Sequence, residues 1–223
     1  MKRILSLLIV LCTIFPTYTH AYVYNQSHTM QNQLESARMK TVSITTAKIE
    51  RYTWDTYYNP LSSGTGTMIG NGLILTNAHV IKDRQNDISI TTYTGEVFKG
   101  TLLRVDKLKD LALLSFDSLA EGFQMSDVSL YKGKPVMTIG QPLGLPQWSF
   151  SEGVVQTPSM LYTDTGGGVQ WGIQTDASVK GGASGGPLLD DAGELIGVIR
   201  AGGDGVSYAI PMSDIKTFLE GIK

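Results

Sequence analysis

The chain has 223 residues, 42% of them apolar and 17% charged, with 18 basic against 20 acidic side chains. That is the composition of a soluble globular protein of one or two domains, and the near-even charge leaves no basic run to bind nucleic acid. The 25 glycines favour many turns, hence short strands, over long helices.

The chain opens on Met1-Lys2-Arg3, continues with a mostly apolar run from Ile4 to Phe15, and then carries the small residues Thr19 and Ala21 on either side of His20. A basic start, a short apolar stretch and small residues before the cut are the marks of a secretory signal peptide over residues 1–21, so the chain is expected to be exported, to the periplasm or beyond. The run is shorter than the ~20 apolar residues of a membrane span, so no membrane association is expected after cleavage. Leu11 is too large for the residue before a lipid-modified cysteine, so Cys12, the single cysteine, does not mark a lipid anchor. Without residues 1–21 the chain has no cysteine and 16 basic against 20 acidic residues, a net charge of −4. An exported protein without disulfides must rely on its packed core. Only His28 and His79 remain as imidazoles, so no metal site and no cofactor is expected.

Residues 22–40 read as a polar N-terminal segment with a helical piece around Gln31–Lys40, ahead of a domain spanning 41–223. Val42, Ile44 and Thr46 alternate with polar neighbours and predict a strand. The aromatic, turn-rich stretch 51–63 reads as a surface loop. Thr67–Ile69 and Leu73–Thr76 flank Gly70-Asn71-Gly72, a hairpin signal. Further strands are predicted at Ile88–Tyr93, Val97–Val105, Leu111–Phe116, Val136–Gly140, Gly153–Thr157, Val169–Thr175, Pro187–Leu189, Leu195–Arg200 and Val206–Ile210. Many short strands at this spacing mean an all-β sandwich or a pair of barrels. The chain closes with a helix, N-capped by Ser213, whose apolar face is Ile215, Phe218, Leu219 and Ile222.

The stretch K-G-G-A-S-G-G-P-L-L-D, residues 180–190, surrounds Ser184 with four glycines. It reads either as a glycine-rich turn before a strand or as a nucleophile loop whose bare N–H groups face an attacked carbonyl. A nucleophilic serine needs a base. His28 sits in a polar, solvated stretch, whereas His79, in L-I-L-T-N-A-H-V-I, follows a buried strand that can present its ring. The imidazole needs a carboxylate to orient it. Asp110 heads the apolar run L-A-L-L-S-F and is drawn inward with it; Asp106 is flanked by solvated lysines, and Asp83 and Asp87 fall in a polar loop.

T-N-A-H-V, then D-L-A-L-L, then I-Q-T-D-A-S-V-K-G-G-A-S-G-G-P-L, in that order, resemble the chymotrypsin-fold serine proteases and, more narrowly, the HtrA (DegP/DegS-like) family. G-Q-P-L-G at 140–144, G-E-L-I-G-V at 193–198 and V-S-Y-A-I-P at 206–211 fit the same pattern, so the resemblance covers roughly residues 41–219. It implies two perpendicular six-stranded β-barrels with the site between them, His79 and Asp110 from the first and Ser184 from the second. It implies a His79–Asp110–Ser184 triad, an oxyanion hole from the N–H groups of Gly182 and Ser184, and Gly185 and Gly186 passing close to the neighbouring barrel. The implied specificity pocket has Ser178 at its floor and walls from Ile199, Arg200, Ala201, Gly202, Val206, Ser207 and Tyr208, with Asp176 structural. Loops 144–151, 177–183 and 201–206 build the hole and the pocket.

The sequence departs from the family at Ala183, where asparagine is usual, and it stops at the protease, where family members commonly append one or two PDZ domains. Peptides or unfolded proteins are the implied substrates. A homotrimer built through N-terminal aromatic residues is also implied, for which Tyr22 and Tyr24 are the candidates. Two other readings stay open: a catalytically silent binding module of the same fold, and a secreted glutamyl endopeptidase, a group that tends to carry Ser-Gly-Ser where this chain has Ser-Gly-Gly.

Overall fold

The fold is that of a computed structural model. It describes residues 31–51, 56–82, 87–141, 148–163 and 168–222, the side chains of 49–51 and 56–60 excepted. The expected signal peptide, His28, Tyr22, Tyr24 and Asp83 lie outside the described residues. Residues 31–39 form a helix (α1), as the sequence pattern predicts.

Six strands follow in the first half of the domain: β1 (Thr41–Arg51), β2 (Thr56–Gly70), β3 (Leu73–Thr76), β4 (Asp87–Thr92), β5 (Val97–Asp106) and β6 (Leu111–Ser115). They close into a barrel in the order β1-β2-β3-β6-β5-β4. The second half supplies β7 (Pro135–Gly140), β8 (Ser149–Thr163), β9 (Val169–Thr175), β10 (Pro187–Asp190), β11 (Leu195–Gly203) and β12 (Val206–Pro211), closed in the order β10-β11-β12-β9-β8-β7. The expected pair of six-stranded barrels is therefore present, and each has its own core. Val42, Ile44, Ile74, Ile90 and Leu114 are sealed in the first; Val155, Ile173, Leu188, Ile199 and Ala209 in the second. Buried residues alternate along β4, at Ile88 and Ile90, whereas β1 is buried at four successive positions, Thr41 to Ile44, and so is β6, Leu111 to Leu114.

The turns follow their residues. Asn71 and Gly72 both take positive φ, 54° and 70°, the pair of values a two-residue hairpin with right-handed twist requires. Asp204 and Gly205, at 52° and 79°, do the same between β11 and β12.

Four expectations are corrected. Of residues 51–63, expected to be a loop, Arg51 ends β1 and 56–63 lie in β2. A register shift between Thr46 and Ala47 lets Pro60 sit opposite Ala47 without breaking the ladder. Likewise β8 is far longer than 153–157, because the shift between Thr157 and Met160 absorbs Pro158. Residues 201–203 belong to β11 rather than to a loop. The terminal helix, α3 (Met212–Leu219), starts two residues earlier than expected, with Pro211 at its N-cap and Ser213 inside its first turn. Its buried face is Met212, Ile215 and Phe218.

Candidate active site

β3 and β6 are antiparallel neighbours, with Thr76 opposite Ala112. That register carries the residues just after β3 toward those just before β6. A short helix, α2 (Ala78–Ile81), follows β3; Ala78, Val80 and Ile81 face the core, and His79 is left outward with its side chain 49% exposed. Asp110 is only 6% exposed and takes a left-handed φ of 55°, a conformation aspartate tolerates better than most residues. The 77–79 segment holds it on three atoms. Its carbonyl accepts from the Ala78 N–H (3.2 Å) and Asn77 Nδ2 (3.1 Å), and Oδ1 accepts from the His79 N–H (2.9 Å). Oδ2 meets His79 Nδ1 at 2.8 Å. An ionised carboxylate only accepts, so Nδ1 carries the hydrogen and Nε2 is left with its lone pair free to take a proton.

Ser184 comes from the other barrel. The turn 180–183 has Gly182 at φ 97° and an Ala183 N–H donating to the Lys180 carbonyl at 3.0 Å. Among the described residues, no group accepts from the N–H of Gly182 or of Ser184. The loop is pinned to β2: the Ser184 carbonyl accepts from the Thr65 N–H (2.8 Å), the Gly182 carbonyl from Thr65 Oγ1 (2.7 Å), and the Gly185 carbonyl from Thr67 Oγ1 (2.9 Å). A Cβ on Gly185 would lie 2.1 Å from the Thr65 carbonyl oxygen, and one on Gly186 2.6 Å from that of Ile139. Both approaches require glycine. The Ser184 hydroxyl donates to the Arg200 carbonyl at 3.1 Å.

His79, Asp110 and Ser184 line one cleft of about 500 Å³, together with Lys107, Val179, Lys180, Gly181, Ile199, Arg200, Ala201 and Gly202. Residues 64–198 match the trypsin-like peptidase domain family. The chain belongs to the trypsin-like peptidases. Its relatives in this family are of the HtrA type. Serine protease HTRA2, mitochondrial, of Bos taurus is 34% identical over 171 residues, 72% of this chain and 36% of the relative. Serine endoprotease DegS of Haemophilus influenzae is 35% identical over 164 residues, 69% of this chain and 47% of the relative. Serine protease Do-like HtrA of Lactobacillus helveticus is 31% identical over 175 residues, 71% of this chain and 42% of the relative. The chain thus spans less than half the length of these HtrA-type relatives.

In this trypsin-like frame, the residues predicted for the specificity pocket divide into two groups. Ile199, Arg200, Ala201 and Gly202 line the cleft. Ser178 is exposed, its N–H donating to Ser151 Oγ at 2.9 Å. Ser207 is buried behind Gly202 and donates to the Ala177 carbonyl at 2.7 Å, and Tyr208 stacks on Tyr162 with ring centres 4.3 Å apart. Val206 lies next to the 204–205 turn, outside the cleft lining. Asp176 accepts from the Val154 N–H and from Gln156 Nε2, each at 2.7 Å, and so serves the sheet.

Sequence reasoning missed Val179, which packs against Gly202 in the cleft, and the buried hydroxyls Thr65 and Thr67. It named Arg200 only as a wall. Arg200 is buried, 8% exposed, and its Nε donates to Asp110 Oδ2 at 3.1 Å. The signal was there: a single charge in L-I-G-V-I-R-A must find a buried partner.

Proposed function

We propose that this protein is a serine endopeptidase that cleaves unfolded proteins after export, to the periplasm or beyond, and acts in protein quality control. The observation that carries the reading is the Asp110 carboxylate. It is buried and accepts from both the His79 N–H and the His79 ring, on a cleft that also contains Ser184. Among the described residues no helix is long and apolar enough to cross a membrane, which fits an exported domain.

In the proposed reaction Ser184 Oγ turns from the Arg200 carbonyl to His79 Nε2, gives up its proton and bonds to the substrate carbonyl carbon. The N–H groups of Gly182 and Ser184 receive the oxyanion. His79, held in its tautomer by Asp110, hands the proton to the leaving amine as the C–N bond breaks. Water then repeats the sequence on the acyl-enzyme and releases the acid.

The apolar lining from Val179, Ile199, Ala201 and Gly202 favours small aliphatic side chains before the cut bond. Lys107 and Lys180 on the same cleft give the glutamyl-endopeptidase alternative its one supporting observation.

A fluorophosphonate probe tests the assignment. Labelling confined to Ser184, and absent in Ser184→Ala, is expected; a folded protein that neither labels nor cleaves would instead establish the silent binding module. Cut sites mapped in a denatured protein by mass spectrometry test the pocket. Cuts after Val, Ala, Ile or Leu are expected. A majority after Glu would move the chain to the alternative, and a majority after Lys or Arg would refute the pocket.

A further inference from the structure

Arg200 occupies an irregular place in its strand. Along β11 and β12, Ile199 faces Ala209 and Ala201 faces Tyr208, so residue 200 has no partner in the ladder. An extra residue of this kind re-aims its side chain. Here it turns the guanidinium from β11 onto Asp110 in the other barrel. Nε donates to Oδ2 at 3.1 Å, and Oδ2 is the same oxygen that His79 Nδ1 meets at 2.8 Å. Nη1 lies 3.5 Å from the Tyr162 hydroxyl, and the guanidinium sits 5.9 Å from the centre of the Tyr162 ring, which itself stacks on Tyr208. Side chains of Arg200 and Asp110 are 9% and 8% exposed, so the pair is removed from water. The carbonyl of the same residue holds the Ser184 hydroxyl. One bulged residue therefore touches two members of the proposed triad directly.

We propose that Arg200 is a positioning residue of this reaction, clamping the carboxylate oxygen that also orients His79 and setting by its charge how strongly that carboxylate retains a protonated imidazole. The inference rests on the triad reading above. Two nitrogens bonded to one oxygen are less than about 6 Å apart, and across so short a path cations oppose one another even at an effective dielectric of about 20. When His79 takes the serine proton, Arg200 already shares the neutralising oxygen. Removing the Arg200 charge leaves that oxygen to the imidazole alone. Among the described residues, the groups that face this cluster include the phenols of Tyr162 and Tyr208 and, on the cleft, the ammonium groups of Lys107 and Lys180. Asp106 is occupied by the N–H groups of Leu108 and Lys109, Lys109 Nζ is paired with Asp214, and Lys82 Nζ donates to the Leu61 carbonyl.

The test is the pH profile of kcat/KM for a peptide substrate in wild type, Arg200→Gln and Arg200→Lys. In Arg200→Gln the acid limb is expected to move up by about one pH unit, as removal of a nearby cation dictates. In Arg200→Lys the limb should stay within about 0.3 of a unit while the plateau falls, because a point charge cannot reproduce the planar fork. The His79 ring signal followed by NMR in a Ser184→Ala background should show the same ordering without any turnover. An active wild type whose limb does not move in Arg200→Gln would overturn the inference and leave the triad intact. A wild type that neither labels nor turns over would overturn the triad reading itself. If Arg200→Gln fails to fold, Arg200→Thr serves as the neutral variant; if both fail, a limb displaced in the charge-retaining Arg200→Lys as far as expected for a neutral residue would overturn the inference, and an unmoved limb would support it.

Discussion

Replacing Gly185 by alanine should be among the most damaging single-methyl changes in the molecule. Gly185 has φ 88°, which costs an L-residue about 1–2 kcal/mol. The added Cβ would stand 2.1 Å from the Thr65 carbonyl oxygen and 2.3 Å from Thr76 Oγ1. The first of these is backbone of β2, paired to β1, and the second is a buried hydroxyl that donates to that same carbonyl at 2.8 Å. Neither can yield like the end of a flexible side chain, so overpacking adds about 1–3 kcal/mol. Against this stands a gain of about 0.4–1 kcal/mol from the stiffer unfolded chain. The net loss is about 1–5 kcal/mol, centred on about 3, or about 6–12 °C in Tm at that centre for a domain of this size. Gly203→Ala is the control: its φ is not positive and a Cβ there meets nothing within 4 Å, so its Tm should stay near wild type. Differential scanning calorimetry of the two variants gives the answer. A Gly185→Ala protein melting within about 2 °C of wild type would refute the argument that β2 and the nucleophile loop are rigidly apposed.

Ser184→Ala should keep the wild-type melting temperature and lose roughly 10⁴–10⁶ in kcat; His79→Ala should lose nearly as much, and the double variant little more, since the groups act as a unit. Val179→Ala should open the cleft beside Gly202, where Val179 Cγ2 lies 2.2 Å from the position of an added Cβ, and shift cleavage from Ala or Val toward Leu or Phe in the mapped cut sites. The Lys134 ammonium, bonded to Asp191 at 2.7 Å, holds that carboxyl below its ordinary value, and Asp191 in turn raises Lys134 despite its burial. A depressed carboxyl stabilises the fold above its unfolded value and loses that contribution as pH falls through the folded one. Asp191→Asn should therefore melt below wild type at pH 7, with the gap closing below about pH 3; a gap that persists unchanged in acid would refute the pairing.

Much of this protein is local and so was legible in the sequence. Asn71-Gly72 specifies its turn because only such residues take two successive positive φ values cheaply. The apolar spacing in α3 identified Ile215 and Phe218 as buried before any contact was known. Ser184 among its glycines, His79 after a buried strand and Asp110 at the head of another were each visible as single residues. Tertiary structure alone decided how they meet. The register of β3 on β6 brings His79 to Asp110, and the hydroxyls of Thr65 and Thr67 tie the serine loop to a strand more than a hundred residues earlier. Pairing shifts also hid Pro60 and Pro158 inside long strands, where an isolated proline reads as a stop. Arg200 shows the division most clearly. Its sequence neighbours say that a charge lies in a buried strand. Its partner is 90 positions away and is reached only because a bulge turns one side chain out of the ladder. Short-range propensity acts on a few neighbouring residues, whereas the pairing of a buried charge is settled by whatever the closed barrels place against it.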